Sequence, residues 1–300
     1  MSSSLSPFFS IVIPTYNRPD LLVRAIESVI NQSFKKFEII VVNDGSSFGL
    51  KEYAEIKKQY SNYKNVVFID KKNEGPSLTR NKGIENSSGE FVCFLDDDDY
   101  YLENHLAELY ELIQAHHSVP GIYRTFSYFK ENSKELIPQK FTKQGDEHAV
   151  MYVLQYLILM MNVCINKVVL NQYLFNPQLK VGEDYEMWVR ILTKYPIFEK
   201  EVLTTVYDRT RESASTGSIP VFLNYITSFE TIFNLPETNK IIPSEFKINK
   251  YKKYYTWIVA IYLETNDLES YKKLKKSIVN HVGLTFYVYH YLRLIRKKYL

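Results

Sequence analysis

The stretch Phe91-Val-Cys-Phe-Leu95 runs without a break into Asp96-Asp-Asp-Asp99, an apolar segment that ends in four carboxylates. An unbroken apolar run of this length suits a strand buried on both faces. Working outward, Phe8-Phe-Ser-Ile-Val-Ile13 is a second such run, ended by Pro14. Phe37-Glu-Ile-Ile-Val-Val42 is halted by Asn43-Asp-Gly-Ser-Ser47, and Asn65-Val-Val-Phe-Ile69 makes a fourth. Between them lie helical spacings: Leu21, Leu22, Ala25, Ile26, Val29 and Ile30, with Pro19 suited to a first turn, then Leu50 to Tyr60 and Pro76 to Ile84. Alternating strands and helices predict an α/β fold, Rossmann-like, with a mostly parallel central sheet flanked by helices. In such sheets ligands bind beyond the carboxyl ends of the strands, which groups Pro14–Asn17, Asn43–Ser47 and Asp96–Asp99.

Farther along, Leu102 to Ala115 reads as helix, Gly121 to Lys130 as strand and Ile137 to His148 as polar loop. Val163 to Leu170 reads as strand passing into helix, and Asp184 to Lys194 as a helix with Tyr185, Trp188, Val189 and Leu192 on one side. Beyond Pro220 the pattern is aromatic and helical without strand signals.

Composition narrows the function classes. The chain of 300 residues is 45% hydrophobic and 24% charged, which is globular and excludes collagen-like or disordered classes. A net charge of +3 is too balanced for a nucleic-acid binder. The charge is uneven, however: twelve Lys and Arg against Glu264, Asp267 and Glu269 lie between Phe246 and Leu300. Two cysteines, Cys93 and Cys164, offer neither metal-ligand spacing nor a disulfide framework, which favours a reducing cytoplasm. No secretory signal is visible at Met1–Pro7. Ala149 to Ile165, the most apolar stretch, falls short of the roughly 18 uninterrupted apolar residues of a spanning helix.

Four adjacent carboxylates repel one another and hold their protons unless a cation neutralises them. Mg²⁺ or Mn²⁺ takes one or two carboxylates and fills its shell with phosphate oxygens and water, so the run suits a metal bridging a diphosphate. A solvated acidic turn is the alternative. Asp44 closes a strand before a glycine that permits a tight turn, where its carboxylate suits a uracil ring or a ribose hydroxyl. Arg80, on the helix opened by Asn73-Glu-Gly-Pro76, is placed to pair with phosphate or Asp98. Glu183-Asp184 reads as a helix N-terminus favoured by the dipole, or as a catalytic carboxylate.

These segments together resemble glycosyltransferase family 2: Ile11-Val-Ile-Pro-Thr-Tyr-Asn17, Val42-Asn-Asp-Gly-Ser46, Asn73-Glu-Gly75 through Arg80-Asn81, Phe94-Leu-Asp-Asp-Asp-Asp99 and Gly182-Glu-Asp-Tyr-Glu-Met-Trp188, in this order. The resemblance spans roughly residues 8 to 217. It implies a GT-A domain over 1–218, followed by a helical, basic, aromatic-rich region over 219–300. It further implies an inverting, metal-dependent transferase that moves one sugar from a nucleotide-diphosphate sugar, a UDP-sugar first, to a glycan or lipid-linked acceptor in surface polysaccharide synthesis. Carried over, Pro14, Thr15, Tyr16, Asn17, Asp44, Asn73 and Gly75 line the nucleotide site, with Tyr16 stacked on the base. Asp96 and Asp98 hold Mn²⁺ or Mg²⁺, with Asp98 the direct ligand and Asp97 on the sugar-ribose side. Asp184 is the catalytic base beside Glu183, and Arg80 steadies the leaving diphosphate.

Two departures stand out. The family's Tyr-Arg-X-His is replaced by Val206-Tyr-Asp-Arg-Thr-Arg-Glu212, so Arg209 or Arg211 is assigned to phosphate. The Gln-X-X-Arg-Trp of processive synthases is absent, which implies one sugar per encounter. An inactive sugar-nucleotide-binding protein remains an alternative because the histidine is missing. A sugar-phosphate nucleotidyltransferase is disfavoured, since Pro14-Thr-Tyr-Asn-Arg-Pro19 is no Gly-rich phosphate loop. The basic, aromatic C-terminus, from Lys272-Lys-Leu-Lys-Lys276 to Arg293–Lys298, suits either contact with the inner face of a membrane or packing as an appendage.

Overall fold

The computed structural model describes residues 6–131, 135–139, 147–156, 158–210 and 217–299. The chain divides into two compact units, Met1–Glu212 and Ser213–Leu300, a few residues before the boundary expected at 218.

In the first unit β1 (Phe9–Thr15), α1 (Pro19–Ile30), β2 (Phe37–Asn43), α2 (Leu50–Gln59), β3 (Val66–Asp70), α3 (Pro76–Asn86) and β4 (Phe91–Phe94) follow the predicted alternation. Then come β5 (Tyr100–Tyr101), α4 (His105–Ala115), β6 (Ile122–Lys130), β7 (Leu136–Gln139), α5 (Ala149–Gln155), β8 (Val163–Asn166), α6 (Lys167–Leu170), α7 (Glu183–Leu192) and β9 (Ile197–Asp208). One sheet runs β3-β2-β1-β4-β8-β6-β9-β5, with β7 on β6. The predicted parallel pairing holds from β3 to β4. Beyond β4 the sheet is mixed: β8 is antiparallel to both β4 and β6, while β9 lies parallel to β6.

The apolar runs explain the layers. Ile11, Ile13, Ile39, Val41, Phe91 and Cys93 are fully buried, and α1 covers them with Leu22, Ala25, Ile26 and Val29. On α3, Gly83 allows close approach to β1, since a Cβ there would stand 2.2 Å from Val12 Cγ1. Two readings need correction. The loop expected from Ile137 contains β7, and residues 140–146 lie outside the described residues. The strand β9, for which no signal was read, is the longest of the sheet. The apolar stretch from Ala149 is broken into α5, a 3₁₀ turn at Met160–Asn162 and β8. No helix among the described residues is long and apolar enough to cross a membrane.

The second unit is helical: α8 (Ile219–Phe233), α9 (Ser244–Thr265), α10 (Leu268–Lys273), α11 (Lys275–Val282) and α12 (Leu284–Tyr299), with a 3₁₀ turn at Pro236–Lys240. Aromatic contacts build its core. Tyr251 stacks on His281, Tyr271 on Tyr287, and Phe229 on Phe233.

Candidate active site

The carboxyl ends of β1, β2 and β4 meet as the parallel pairing requires, and the turns after them carry the polar residues. After β1, Thr15 Oγ1 donates to Asp97 Oδ2 at 2.8 Å, while Tyr16 is exposed. Asn17 holds a positive φ of 56°, and its Oδ1 accepts from the backbone N–H groups of Ser47 and Phe48. Its amide therefore ties the β1 loop to the β2 loop.

After β2, Asp44 accepts from Lys71 Nζ at 2.5 Å and from the N–H groups of Glu74 and Gly75 at 3.0 and 2.9 Å. Burial acts to raise the Asp44 carboxyl, but these hydrogen bonds, Lys71 foremost, hold it below the usual carboxylate range. Gly45 has φ of 69°, and a Cβ there would lie 2.5 Å from Asn73 N, so the glycine lets the segment carrying exposed Asn73 pass close by.

After β4, the four aspartates diverge. Asp99 N–H donates to Asp96 O at 3.1 Å, which folds the run into a turn. Asp97 and Asp99 are buried; Asp96 and Asp98 keep side-chain exposures of 35% and 27%. Arg18 Nη1 contacts Asp98 Oδ2 at 2.8 Å and Asp97 Oδ1 at 3.3 Å. Arg24 donates to the Asp98 carbonyl and pairs with Asp208 Oδ2 at 2.5 Å. Asp99 Oδ1 accepts the Asp208 N–H at 3.0 Å, so the end of β9 joins the cluster. Burial pushes Asp97 up to about 7, helped by the charges of Asp98 and Asp96 and opposed by Thr15 and Arg18. Asp98 rises for the same reasons, burial first and Asp96 second, and buried Asp99 rises well above its usual value.

Arg80 joins this cluster to the start of α7. Its Nη2 pairs with Asp96 Oδ1 at 2.7 Å and its Nη1 with Glu183 Oε1 at 2.8 Å. The partner is thus Asp96 rather than Asp98, which Arg18 takes. The neighbouring Asn81 fixes the geometry by exchanging two 2.9 Å hydrogen bonds with the backbone of Phe175, on the segment leading to α7. Asp184 follows at half-buried depth, its Oδ1 accepting the Tyr185 N–H at 2.8 Å. Burial, reinforced by the charge of Glu183, lifts the Asp184 carboxyl to about 7.

Arg18, Arg24, Lys71 and Asp208 join the site without being among the residues expected from the sequence. The available signal for Arg18 was a cation immediately after a strand whose neighbour ends in aspartates. Arg209 lies over the rings of Phe129 and Tyr207 and 3.6 Å from Glu131. Arg211 lies outside the described residues. Pro14 sits in register with Val42 on β2.

Asp96 and Asp98 offer hard oxygen ligands, partly open to solvent, at the end of a strand. Among the described residues no group of three His, Cys, Asp or Glu is arranged to hold a metal. The set fits a cation that completes its shell with phosphate oxygens and water.

A parallel half-sheet with a charged crest and a mixed second half defines an α/β architecture of the GT-A type. Residues 10–171 match the profile of Glycosyl transferase family 2, and the chain belongs to that family. An uncharacterized glycosyltransferase of Rickettsia felis is 30% identical over 277 residues, covering 91% of this chain and 44% of that protein. This chain spans less than half the length of the relatives from Rickettsia felis, Rickettsia bellii and Rickettsia conorii. The GalNAc(5)-diNAcBac-PP-undecaprenol beta-1,3-glucosyltransferase of Campylobacter jejuni is 28% identical, covering 91% of this chain and 88% of that protein. Among solved structures, S. aureus TarS 1-349 in complex with UDP-GlcNAc aligns with a TM-score of 0.66 at 20% identity, covering 91% of this chain and 81% of that one. The Pyrobaculum calidifontis mannosyltransferase PcManGT, in complex with GDP-Man and Mn²⁺, aligns at 0.61 and 13% identity, covering 98% and 87%. Both similarities speak to the fold.

Proposed function

We propose that this chain transfers one sugar from a nucleotide-diphosphate sugar, a UDP-sugar first among them, to a hydroxyl of a glycan or lipid-linked acceptor, with inversion at the anomeric carbon. The observation that carries this reading is Arg80, which holds Asp96 and Glu183 together and so sets the aspartate turn beside Asp184. Family membership supports the transferase class. The Campylobacter relative, named for an undecaprenol-linked acceptor, supports a lipid-linked acceptor in surface polysaccharide synthesis. The neighbours bound to UDP and UDP-GlcNAc support the donor.

In this reading the exposed ring of Tyr16 stacks on the base, and Pro14, Thr15, Asn73 and Gly75 shape the pocket. Asp44, held ionised by Lys71, accepts from the base or ribose. Asp96 and Asp98 would hold Mn²⁺ or Mg²⁺, whose chemistry when bound would be to neutralise charge on the leaving diphosphate. Arg80 and Arg18 keep the carboxylates oriented toward it, and Asp97 orients the ribose side through its bond to Thr15. Asp184, with its carboxyl near 7, takes the proton of the acceptor hydroxyl at neutral pH. Single displacement by that oxygen inverts the centre.

The test is release of UDP from a panel of UDP-sugars with manganese present, alongside UDP binding by calorimetry. Turnover with at least one donor is expected. Intact UDP binding with no turnover on any donor or acceptor would instead support the inactive binding protein.

A further inference from the structure

We infer that α12 is a docking face for an anionic lipid surface. Its inner side is fixed within the second unit, since Tyr287, His290 and Leu294 are at most 7% exposed. Its outer side carries Leu284, Val288 and Leu292 at 56%, 41% and 58% exposure, spaced at i, i+4 and i+8, with Tyr289 at 59% beside them. Scattered exposed aliphatics need no explanation, but three in one line on one helix do.

Charge identifies what covers the line. Arg293, Arg296 and Lys297 are exposed; Arg296 continues the line at i+4 from Leu292, and Arg293 flanks it, 5.8 Å over the ring of Tyr289. Toward the other edge, Lys275 at the start of α11 lies 6.0 Å over the ring of Tyr287, with exposed Lys272, Lys273 and Lys276 around it. Helix α12 contains no Asp or Glu, and residues 213–300 hold thirteen Lys and Arg against six acids. An apolar line bordered by bases, with an interfacial tyrosine, is complementary to an acyl–headgroup boundary rich in anionic lipid. It is poorly suited to a second copy of this chain, because a two-fold contact would set the same bases against each other.

The inference goes beyond the transferase reading and is tested without nucleotide sugar, so the two can fail separately. The full chain is floated with vesicles of equimolar phosphatidylglycerol and phosphatidylcholine, and with phosphatidylcholine alone. Recovery on the anionic vesicles, little on the neutral ones, and release in high salt are expected. Arg293→Gln with Arg296→Gln should lower the partition coefficient about 25-fold, at about fivefold per base removed. Val288→Glu with Leu292→Glu should abolish recovery, with the far-UV spectrum and melting point unchanged because these side chains are exposed. Salt release of the unsubstituted chain reads the charge contribution independently of any variant. No recovery, equal recovery on neutral vesicles, or a dimer in solution that Leu292→Glu dissociates would overturn the inference.

Discussion

The two halves of the central sheet both bury charge, and they treat it differently. Around β6, β8 and β9 most of the buried polar side chains find partners, His105 Nε2 excepted. Arg124, 1% exposed, meets the Tyr152 hydroxyl at 3.3 Å and Glu199 at 3.4 Å. Asn162 Oδ1 accepts from both Ser127 and Thr205, and Thr204 bonds His105 Nδ1 at 2.7 Å. Burial drives His105 down to about 3, so it is neutral at physiological pH. Beyond β1, β2 and β4 the carboxylates outnumber the cations among them, and Asp97, Asp98, Asp99 and Asp184 are all raised. Paired burial stabilises one fold. Unmatched burial stores a demand for a cation and a proton acceptor, and that is where a reaction on a diphosphate would be placed.

The comparison breaks most sharply at Asp184. Asp184→Asn removes the proton acceptor and should lower kcat by roughly two to four orders of magnitude while UDP binding by calorimetry stays near that of the parent. Near-normal turnover would remove the base assignment. The next effect belongs to Arg80. Arg80→Met leaves Glu183 and Asp96 facing each other without their shared cation. It should cost roughly 3 kcal/mol in denaturant unfolding, the lower end for a broken buried pair because Asp96 keeps contact with water. Arg80→Lys should recover part of this.

The acidity of Asp184 gives a third effect. A base must be unprotonated, so kcat should be full above about pH 7 and fall about tenfold per unit below it, and Asp184→Asn should lack this limb. Stability moves the opposite way, because the folded value lies above the unfolded one. The protonated form favours the fold, and this contribution is lost as pH rises toward 7, which the unfolding midpoints of parent and Asp184→Asn would show. The smallest effect lies in the paired half. Ser127→Ala should cost about 1 kcal/mol, since Asn162 keeps its bond to Thr205, and leave kcat unchanged. A large loss of activity there would erase the contrast between the halves.

What the sequence shows follows the same division. Strands β1 to β4 are continuous apolar runs ended by turn residues, so their existence and carboxyl ends are readable, and with them the neighbourhood of Asp44 and Asp96, whereas Asp184, on α7, is reached only through the family resemblance. Strand β9 was not readable. Ile197-Phe-Glu-Lys-Glu-Val-Leu203 carries three charges in a row, and it holds its place by pairing with β6, from Ile122 against Ile197 to Lys130 against Asp208, far away in sequence. Asp208, at its end, is visible only once that pairing exists. Partner choice within the aspartate run escaped for a similar reason. The turn closed by Asp99 on Asp96 aims Asp96 at Arg80 and Asp98 at Arg18, and spacing alone does not give that direction. Lys71 binds Asp44 from 27 residues away.

The central claim is that the aspartate turn after β4 and the acid at the head of α7 serve one bound nucleotide. Diffraction from a crystal soaked with UDP and manganese tests it most directly. The account predicts a diphosphate at the end of β4 against Asp96 and Asp98, a uracil on Tyr16 near Asp44, and Asp184 facing the vacant sugar position. Nucleotide bound elsewhere, or Asp184 turned away from the diphosphate, would contradict it.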